Sequence, residues 1–329
     1  MNEQGFNLLQ LHCPEEDSGV RKLLRVYSVI SRFDKKAIPL QSEQASRINE
    51  FLKKTNKNLN NEIGPKWKSI WLESIGYDFA RLSYKDWFLG RASIPLVALK
   101  VLGFFGLQEE IIDLVKNCDF FCSTTGRVFK VPHEITSDLS YLAGAILGDG
   151  HITKAEYRIS FKVSEEWLAK KFVYKIKTVF NHEVRLHAKS EKNRKMQYCA
   201  DCDNKPAVRI FTKFFNIPKG KKSHIIEVPE IILESPAEIK KAFLEGVFDT
   251  DGGKRRGGFG LTTASQKFRG QLALLLESFG ITVHKDEWVN KKYNKSYYGL
   301  QFNRKNPNLD FICTGTEARL NGMGLGSRQ

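Results

Sequence analysis

The sequence predicts an α+β protein in which a small all-α domain precedes two similar lobes of mixed helix and strand. Two observations carry this prediction. Residues 20–130 show mainly helical periodicity, and two apolar helix-like segments with a common ending are each followed by β-rich runs. The predicted domains are a helical domain over residues 1–125, a first lobe over 126–235 and a second lobe over 236–329.

The helical region contains a segment that resembles part of a helix-turn-helix domain. Ser83 can start a short helix that closes at Gly90, and Pro95 can start the next helix. Short helix pairs of this kind also occur as structural filler. If the segment binds DNA, the side chains facing the duplex are Tyr84, Lys85 and Arg91. The stretch "FFCSTTGRVFKVP" that follows is predicted to be a β-rich linker ending at Pro132.

The charge balance indicates a polyanionic partner. The chain has 52 Lys and Arg against 37 Asp and Glu, a net charge of +15 and a pI near 9.4. Such a surplus favours nucleic acid over a membrane surface. No apolar stretch approaches the length of a membrane span, and no signal peptide is recognisable. The sequence therefore predicts a cytoplasmic, nucleoid-associated protein without a membrane partner.

Two segments share an unusual ending. "YLAGAILGDG" over 141–150 and "FLEGVFDTDGG" over 243–253 both run an apolar helix into an Asp-Gly pair. For the first helix, Ser137 is the predicted N-cap. For the second, Ser235 and Glu238 are predicted to form a capping box. Gly150 and Gly252 are predicted to end the helices in left-handed turns.

Small residues recur four positions apart in each segment. Gly144 and Gly148 form one stripe, and Gly246 and Thr250 form the other. Because such stripes let two helix backbones approach closely, the simplest partner for each helix is the other one. If the helices pack in parallel, their ends coincide. The carboxylates that follow, Asp149 and Asp251, would then meet.

Two carboxylates in contact repel each other, and the negative helix ends increase that repulsion. A divalent cation removes the penalty, and hard oxygen ligands suit Mg²⁺, or Mn²⁺ in its place. A bound ion of this kind can activate water for phosphodiester hydrolysis. For one motif alone, a buried helix with a glycine cap and a solvated aspartate is the simpler interpretation. Two matched copies favour the metal site.

The two segments resemble the nine-residue motif of the LAGLIDADG (DOD-type) homing endonucleases, in the form with two motifs on one chain. "LAGAILGDG" and "LEGVFDTDG" both carry the aspartate in the eighth position, and the resemblance covers about residues 125–329. It implies two pseudo-symmetric αββαββα lobes whose sheets form a saddle over double-stranded DNA. It also implies Mg²⁺-dependent cleavage of both strands.

The resemblance also assigns roles to individual residues. Asp149 and Asp251 correspond to the metal ligands, and the carbonyls of Gly148 and Thr250 can complete the coordination. "IPKGKKSHIIEVPE" resembles a family stretch in which a lysine approaches the active site, a role carried to Lys222 with Lys221 as the alternative. In the second lobe the matching place offers Arg319 instead of a lysine. This difference puts equal cleavage of the two strands in doubt.

Basic, β-rich segments follow each motif independently of the family. Residues 185–222 and residues 253–305 each contain 11 Lys or Arg against 3 acids. A two-lobed DNA surface requires such a surplus on both sides. The predicted DNA contacts in these segments are Lys189, Lys192, Arg194, Lys195, Arg209, Lys221, Arg255, Arg256, Lys291, Lys292 and Arg304.

Other functions remain open. A DNA-binding transcription regulator can keep the fold without cleaving, and an RNA maturase would use the same surface on intron RNA. Many relatives are embedded in inteins, but this chain starts with Met and lacks the Cys or Ser start and the terminal His-Asn pair of an intein, so a free-standing protein is expected. It is also expected to act as a monomer. "YCADCD" places Cys199 and Cys202 like half a zinc site, but the candidates to complete it, Cys118 with Cys122 or His182 with His187, lie at unconvincing distances. A hairpin turn is the simpler interpretation, and zinc is not expected.

Overall fold

The computed structural model describes residues 5–12, 23–30, 39–76, 83–123, 127–154, 157–190, 196–255, 258–292, 294–303 and 306–312. The chain forms two compact units, residues Met1–Glu134 and Ile135–Gln329. Within the described ranges, no helix combines the length and apolarity that crossing a membrane requires.

The described part of the N-terminal unit contains five α-helices, and three tryptophans pack together in its core. Trp67 and Trp71 stack with ring centroids 5.6 Å apart, and Trp87 meets Trp71 edge-on at 5.7 Å. The Trp71 indole N–H donates to the Ala98 carbonyl at 2.9 Å, so its buried polar atom is satisfied. The helices are α1 (Pro39–Glu62), α2 (Trp67–Ile75), α3 (Ser83–Phe88), α4 (Leu96–Leu102) and α5 (Gln108–Lys116).

The same unit also contains a four-stranded antiparallel sheet, which corrects the all-α prediction. Its strands are β1 (Arg25–Val26), β2 (Ile94–Pro95), β3 (Phe120–Cys122) and β4 (Val128–Lys130), in the order β2-β1-β3-β4. The predicted linker is therefore two strands of this sheet. Because those strands pair with the preceding domain, the boundary falls after Glu134 instead of after residue 125.

The segment predicted as a helix-turn-helix departs from that geometry. Helix α3 has six residues, and strand β2 lies between it and α4. A helix-turn-helix has a turn of three or four residues at this point. Helix α4 is buried at six of its seven positions and exposes Lys100. Lys85 and Arg91 are exposed and Tyr84 is half-buried, so a contact of these three with DNA stays a prediction.

The domain boundary can be tested by truncation. We expect deletion of residues 1–134 to leave a unit that unfolds cooperatively and binds Mg²⁺, with weaker or less selective DNA binding. Deletion of residues 1–125 would leave β4 without its partner β3 and is expected to lower solubility. Thermal unfolding and DNA affinity in EDTA are the measurements. An insoluble 135–329 fragment, or one that binds DNA unchanged, would contradict the prediction.

The first lobe of the C-terminal unit follows the order αββαββα. It contains α6 (Ser137–Leu147), β5 (Gly150–Ile152), β6 (Ile159–Val163), α7 (Glu166–Phe180), β7 (Arg185–Lys189), β8 (Gln197–Cys202) and α8 (Lys205–Lys213), and a short helix α9 (Glu230–Leu233) leads to the second lobe. The sheet has the order β5-β6-β8-β7. Its helix-facing side packs on α7, where Phe161 and Phe172 stack at 4.3 Å.

The second lobe repeats this arrangement. It contains α10 (Ala237–Asp251), β9 (Gly253–Arg255), β10 (Gly258–Thr263), α11 (Gln266–Ser278), β11 (Val283–Asn290) and β12 (Lys295–Phe302). The sheet order β11-β12-β10-β9 matches that of the first lobe, which confirms two lobes of one topology. Its core includes Phe248, Phe259 and Phe302, whose ring centroids are 5.3–6.0 Å apart. The closing helix predicted for this lobe would fall beyond residue 312, outside the described residues.

The ends of the two motif helices differ from the predicted caps. Helix α6 is capped by Thr136, whose hydroxyl accepts from the Leu139 amide at 3.2 Å, and Ser137 is its first helical residue. Helix α10 follows Pro236 without a side-chain cap. Ser235 instead donates to the Ile231 carbonyl at 2.6 Å, so the predicted capping box is absent.

The glycines after the aspartates are not in left-handed turns, because each helix leads directly into a strand. Gly252 has φ −70° and ψ 147°, and Gly150 starts β5. Close contact explains the glycines instead. A Cβ atom on Gly150 would lie 2.6 Å from the Ile146 Cα atom, and one on Gly252 would lie 2.2 Å from the Phe248 carbonyl oxygen.

Candidate metal centre at the ends of the paired helices

Helices α6 and α10 pack side by side through their glycines. A Cβ atom on Gly144 would lie 2.2 Å from the Phe243 carbonyl oxygen, and one on Gly246 would lie 2.1 Å from that of Tyr141. The hydroxyl of Ser140 crosses the interface and donates to the Ile239 carbonyl at 2.7 Å. Since positions 140, 144 and 148 of the first helix meet positions 239, 243 and 250 of the second in the same order, the helices run parallel.

The parallel packing brings the C-terminal ends of the helices together. A Cβ atom on Gly148 would lie 2.0 Å from the Thr250 hydroxyl oxygen and 3.5 Å from the Asp251 carboxyl carbon. Asp149, the next residue after Gly148, is exposed, and Asp251 is half-buried. The Thr250 hydroxyl donates to its own helix, to the carbonyls of Gly246 and Val247. Both aspartates are therefore presented at the end of one helix pair.

Lys222 lies at this end and contacts the first motif directly. Its ammonium donates to the Leu147 carbonyl at 2.5 Å and to the Gly148 carbonyl at 2.8 Å. Burial lowers the pKa of Lys222, and the nearby carboxylates of Asp251 and Asp149 oppose this shift without cancelling it. Lys221 is exposed and has no contact of this kind among those described. The geometry therefore favours Lys222 over Lys221, which the sequence left as the alternative.

The groups at the helix ends fit a small divalent cation. Among the described residues, no cluster of three or more His, Cys, Asp or Glu side chains could hold a metal. An ion here would depend on Asp149, Asp251, backbone oxygens and water, which suits Mg²⁺ because it retains several waters. The Gly148 carbonyl already accepts from Lys222, although a carbonyl oxygen has a second lone pair. Carboxylate repulsion and the helix dipoles both favour a cation at this point.

A buried polar cluster beside the helix pair was not predicted. Lys171 of α7 donates to Glu245 at 2.7 Å and to Asp249 at 2.8 Å, and Tyr141 donates to the same Asp249 oxygen at 2.9 Å. The Lys171 ammonium also lies 4.4 Å from the centre of the Tyr141 ring. Burial raises the pKa of Asp249, although Lys171 and the Tyr141 hydroxyl act to lower it.

This cluster makes the two lobes chemically unequal. Glu245 and Asp249 of the second motif correspond to Ala143 and Leu147 in the first, so only one motif helix carries the acids. Burial lowers the pKa of Lys171, and the carboxylates of Asp249 and Glu245 more than offset that and raise it. The spacing of four between the two acids was the available signal. Their cationic partner lies 74 and 78 residues away in sequence, so nothing local identified it.

The predicted DNA contacts divide into three groups. Lys189, Lys221, Lys291 and Lys292 are exposed, and Arg255 is half-buried on β9. Arg209 is fully buried in α8 against the ring of Tyr157, so its predicted place on the DNA surface is wrong. Arg209 is buried together with the apolar face of α8. Counting charges along the sequence could not predict this burial. Several predicted residues lie outside the described ranges: Lys192, Arg194, Lys195, Arg256, Arg304 and Arg319.

The cysteine motif lies within a strand and not at a hairpin turn. Cys199 and Cys202 belong to β8, and residues three apart on a strand point to opposite faces of the sheet. Both thiols are buried, as are Cys118 and Cys122 of the N-terminal unit. Burial raises the pKa of Cys118 to about 12 and that of Cys122 to about 11, so these thiols stay protonated at neutral pH.

We therefore expect the purified protein to carry less than about half an equivalent of zinc. Cys199→Ser with Cys202→Ser should fold with nearly the same melting temperature, and the four buried thiols should react with a thiol reagent only after unfolding. Elemental analysis and thiol titration check this. Stoichiometric zinc that disappears in the double variant together with thermal stability would contradict it.

A parallel helix pair with matching four-stranded sheets defines a two-lobed α+β protein. The model of the family described as LAGLIDADG-like domain matches residues 238–311, which include most of α10 and all of β9–β12. The chain therefore carries a LAGLIDADG-like domain over residues 238–311, and the resemblance found in the sequence is confirmed there.

Solved structures with a related arrangement include homing endonucleases. Mesophilic variants of the homing endonuclease I-DmoI give a TM-score of 0.39 at 18% identity, over 55% of this chain and 96% of that chain. I-WcaI bound to its DNA recognition sequence gives 0.37 at 18% identity, over 54% and 78%. The N-terminal LAGLIDADG domain of DUF199/WhiA gives 0.37 at 14% identity, over 59% and 82%.

Curated relatives match over small parts of long proteins. The replication factor C small subunit of Methanocaldococcus jannaschii is 32% identical over 167 residues, which is 51% of this chain and 9% of the relative. The probable translation initiation factor IF-2 of the same organism is 27% identical over 219 residues, 63% of this chain and 18% of the relative. The chain thus spans less than a fifth of either relative's length.

Proposed function

We propose that this protein is a site-specific DNA endonuclease of the homing type, which hydrolyses both strands of duplex DNA with Mg²⁺ or Mn²⁺. The observation that carries the proposal is the junction of α6 and α10, where Asp149 and Asp251 share one site with Lys222. A packing device alone would not place two carboxylates at two negative helix ends. Because one chain supplies both carboxylates, we propose that it acts as a monomer.

In this mechanism the helix pair fixes the position of the chemistry. Asp149 and Asp251 would hold the divalent ion, which would supply an activated water and stabilisation of the leaving oxygen. Lys222 donates hydrogen bonds to the carbonyls of Leu147 and Gly148, and these bonds hold its ammonium at the same site. There its ammonium stabilises charge that develops on the scissile phosphate. The exposed lysines of β7 and of the β11–β12 turn hold the DNA backbone.

A non-cleaving DNA-binding regulator and an RNA maturase are the competing functions. The regulator would need neither carboxylate, and both are present beside the half-buried Lys222. Incubating supercoiled plasmids that carry a randomised insert with the protein, in Mg²⁺ and in EDTA, tests the proposal. We expect linear products in Mg²⁺ whose ends share one sequence. Binding to plasmid DNA without cleavage in Mg²⁺ or Mn²⁺ would favour the regulator, and selective binding of structured RNA would favour the maturase.

The role of Lys222 gives a separate prediction. We expect Lys222→Met to lower the cleavage rate by about 10²–10³-fold, because a preorganised cation at the developing charge is lost. DNA affinity should change little. The melting temperature should stay the same or rise, since the desolvation that lowers the pKa of Lys222 also disfavours its charge in the folded protein. Cleavage kinetics at the selected site and thermal unfolding are the measurements.

Lys221→Met is the matched control, because that side chain is adjacent in sequence and exposed. It should keep the cleavage rate and lose a modest, salt-dependent part of DNA affinity. If Lys221→Met abolishes cleavage while Lys222→Met retains it, the assignment of the two lysines is reversed.

A further inference from the structure

The two sheets present different chemistry on the face that lies opposite the helices, which we call the open face. Paired residues of antiparallel strands share a face, so the register identifies its members. In the first lobe the open face is mostly polar and charged, with Ser160, Lys162, Arg185, His187, Lys189 and Asp201 around the buried Cys199. In the second lobe it carries the directly paired residues Trp288 and Tyr297.

Trp288 and Tyr297 form an aromatic pair outside the core. Their ring centroids are 6.2 Å apart with 21° between the planes, and the Arg255 guanidinium lies 5.9 Å from the centre of the indole. The core face of the same strands holds Leu300 and Phe302 instead. Trp288 remains 39% exposed, so the pair leaves apolar surface in contact with water. Since neither residue supports the core, the pair is suited to a ligand.

The neighbouring charges indicate which part of a nucleic acid meets this pair. Asp286 lies on the same face, two residues before Trp288, and its carboxylate occupies the space where a Cβ atom of Gly299 would be. A carboxylate there repels phosphate. The cations that suit phosphate, Lys291, Lys292 and Lys295, lie at and beside the β11–β12 turn. The aromatic pair is therefore placed to meet base edges, with the DNA backbone held further along the hairpin.

The arrangement of the rings indicates which group of a base pair they can contact. Tyr297 stacks on the indole and Arg255 lies over it, so Trp288 offers its edge more readily than a free ring face. A ring edge suits an apolar contact in a groove and not the stacking of an unpaired base. In the major groove, the apolar group that distinguishes one base pair from the others is the 5-methyl group of thymine.

We propose that Trp288 and Tyr297 determine specificity by contacting the 5-methyl group of a thymine in the half-site bound by the second lobe. This inference rests on the proposed function only for the binding of duplex DNA, and not for its cleavage. It also means that the two half-sites differ in chemistry, because the first lobe offers no aromatic pair among the described residues of its open face.

Selection of bound duplexes from a randomised library tests the inference, with the full-length protein in EDTA so that cleavage plays no part. We expect the wild type to enrich thymine at a defined position, and Trp288→Ala to lose that preference while the others persist. Lys285→Ala is the control, since Lys285 is exposed on the same strand but pairs with Leu300 on the opposite face. It should leave every preference unchanged.

A second measurement uses only the wild-type protein and therefore does not depend on the folding of any variant. Replacing the selected thymine by uracil removes the methyl group alone and should weaken binding by about four-fold, as expected for one buried methyl group. Equal affinity for both duplexes, an unchanged preference in Trp288→Ala, or tighter binding of single strands that depends on Trp288 would overturn the inference. So would a library that yields no enriched duplex. A selected site that is bound but never cut in Mg²⁺ contradicts the proposed nuclease and leaves the thymine contact standing.

Discussion

Asp149→Asn and Asp251→Asn are each expected to reduce Mg²⁺-dependent double-strand cleavage by at least about 10³-fold, because either change removes one of two charged ligands to the ion. DNA affinity measured in EDTA should change by less than about three-fold, since neither side chain lies on an open face of the sheets. The amide keeps the shape of the carboxylate, so the helix ends should not repack. Single-turnover cleavage of the selected site is the measurement.

Two further variants make this result interpretable. Asp203→Asn is the matched control, since Asp203 forms an exposed ion pair with Arg158 at 2.7 Å and should leave cleavage unchanged. Asp249→Asn changes a buried carboxylate held by Lys171 and Tyr141, so stability is expected to fall. If Asp149→Asn or Asp251→Asn loses DNA affinity in proportion to activity, the carboxylates have a structural role and the metal site is wrong.

The motif helices could be predicted because their signals are local. A small residue every fourth position and an Asp-Gly ending can be recognised within ten residues of sequence. The caps were less predictable, since Ser137 and Thr136 are adjacent residues that can both accept from the first turn. Ser235 was wrongly predicted to be an N-cap. Its hydroxyl donates to the carbonyl of Ile231 in the short helix α9, which the sequence pattern did not distinguish from α10.

The N-terminal sheet could not be predicted because its strands are too short to show a period. Strands β1 and β2 have two residues each, and Arg25 pairs with Pro95 across a distance in sequence that no local pattern spans. The sheet depends on Gln44, whose amide bonds to Phe120 and Tyr27 from inside a helix. Such a contact is recognisable only after folding.

The residues on the open faces can be identified only from the strand register, which a single sequence does not supply. Tyr297 and Tyr298 are neighbours in sequence, yet the first stacks on Trp288 and the second meets Arg269 of α11. A shift of one residue would exchange them. Charge counting identified both basic segments but could not separate the exposed Lys189 from the buried Arg209. The polar cluster around Lys171 needed the packing of one lobe against the other.

The packing of the two motif helices leads to the largest expected effect on stability. Gly144→Ala and Gly246→Ala each place a methyl group about 2 Å from a backbone carbonyl of the opposite helix, at 2.2 Å and 2.1 Å. Because the obstacle is backbone and not a flexible side chain, the helices must separate. We expect a loss of about 1–3 kcal/mol or more in the free energy of unfolding for each variant. Chemical denaturation measures it.

Gly270→Ala is the control, because it adds the same methyl group at a position where no neighbouring atom obstructs it. Gly270 lies in α11 with no atom within 4 Å of an added Cβ, so the change should stabilise the protein by about 0.5–1 kcal/mol through helix propensity. If Gly246→Ala lowers the free energy of unfolding and Gly270→Ala raises it, the loss at Gly246 comes from close packing and not from helix propensity. A change of the same sign in both variants would contradict the tight interface.

Because Asp149 and Asp251 follow these helices directly, separation of the helices should also move the two carboxylates apart. The folded fraction of Gly144→Ala is therefore expected to cleave DNA more slowly than the wild type at equal DNA affinity.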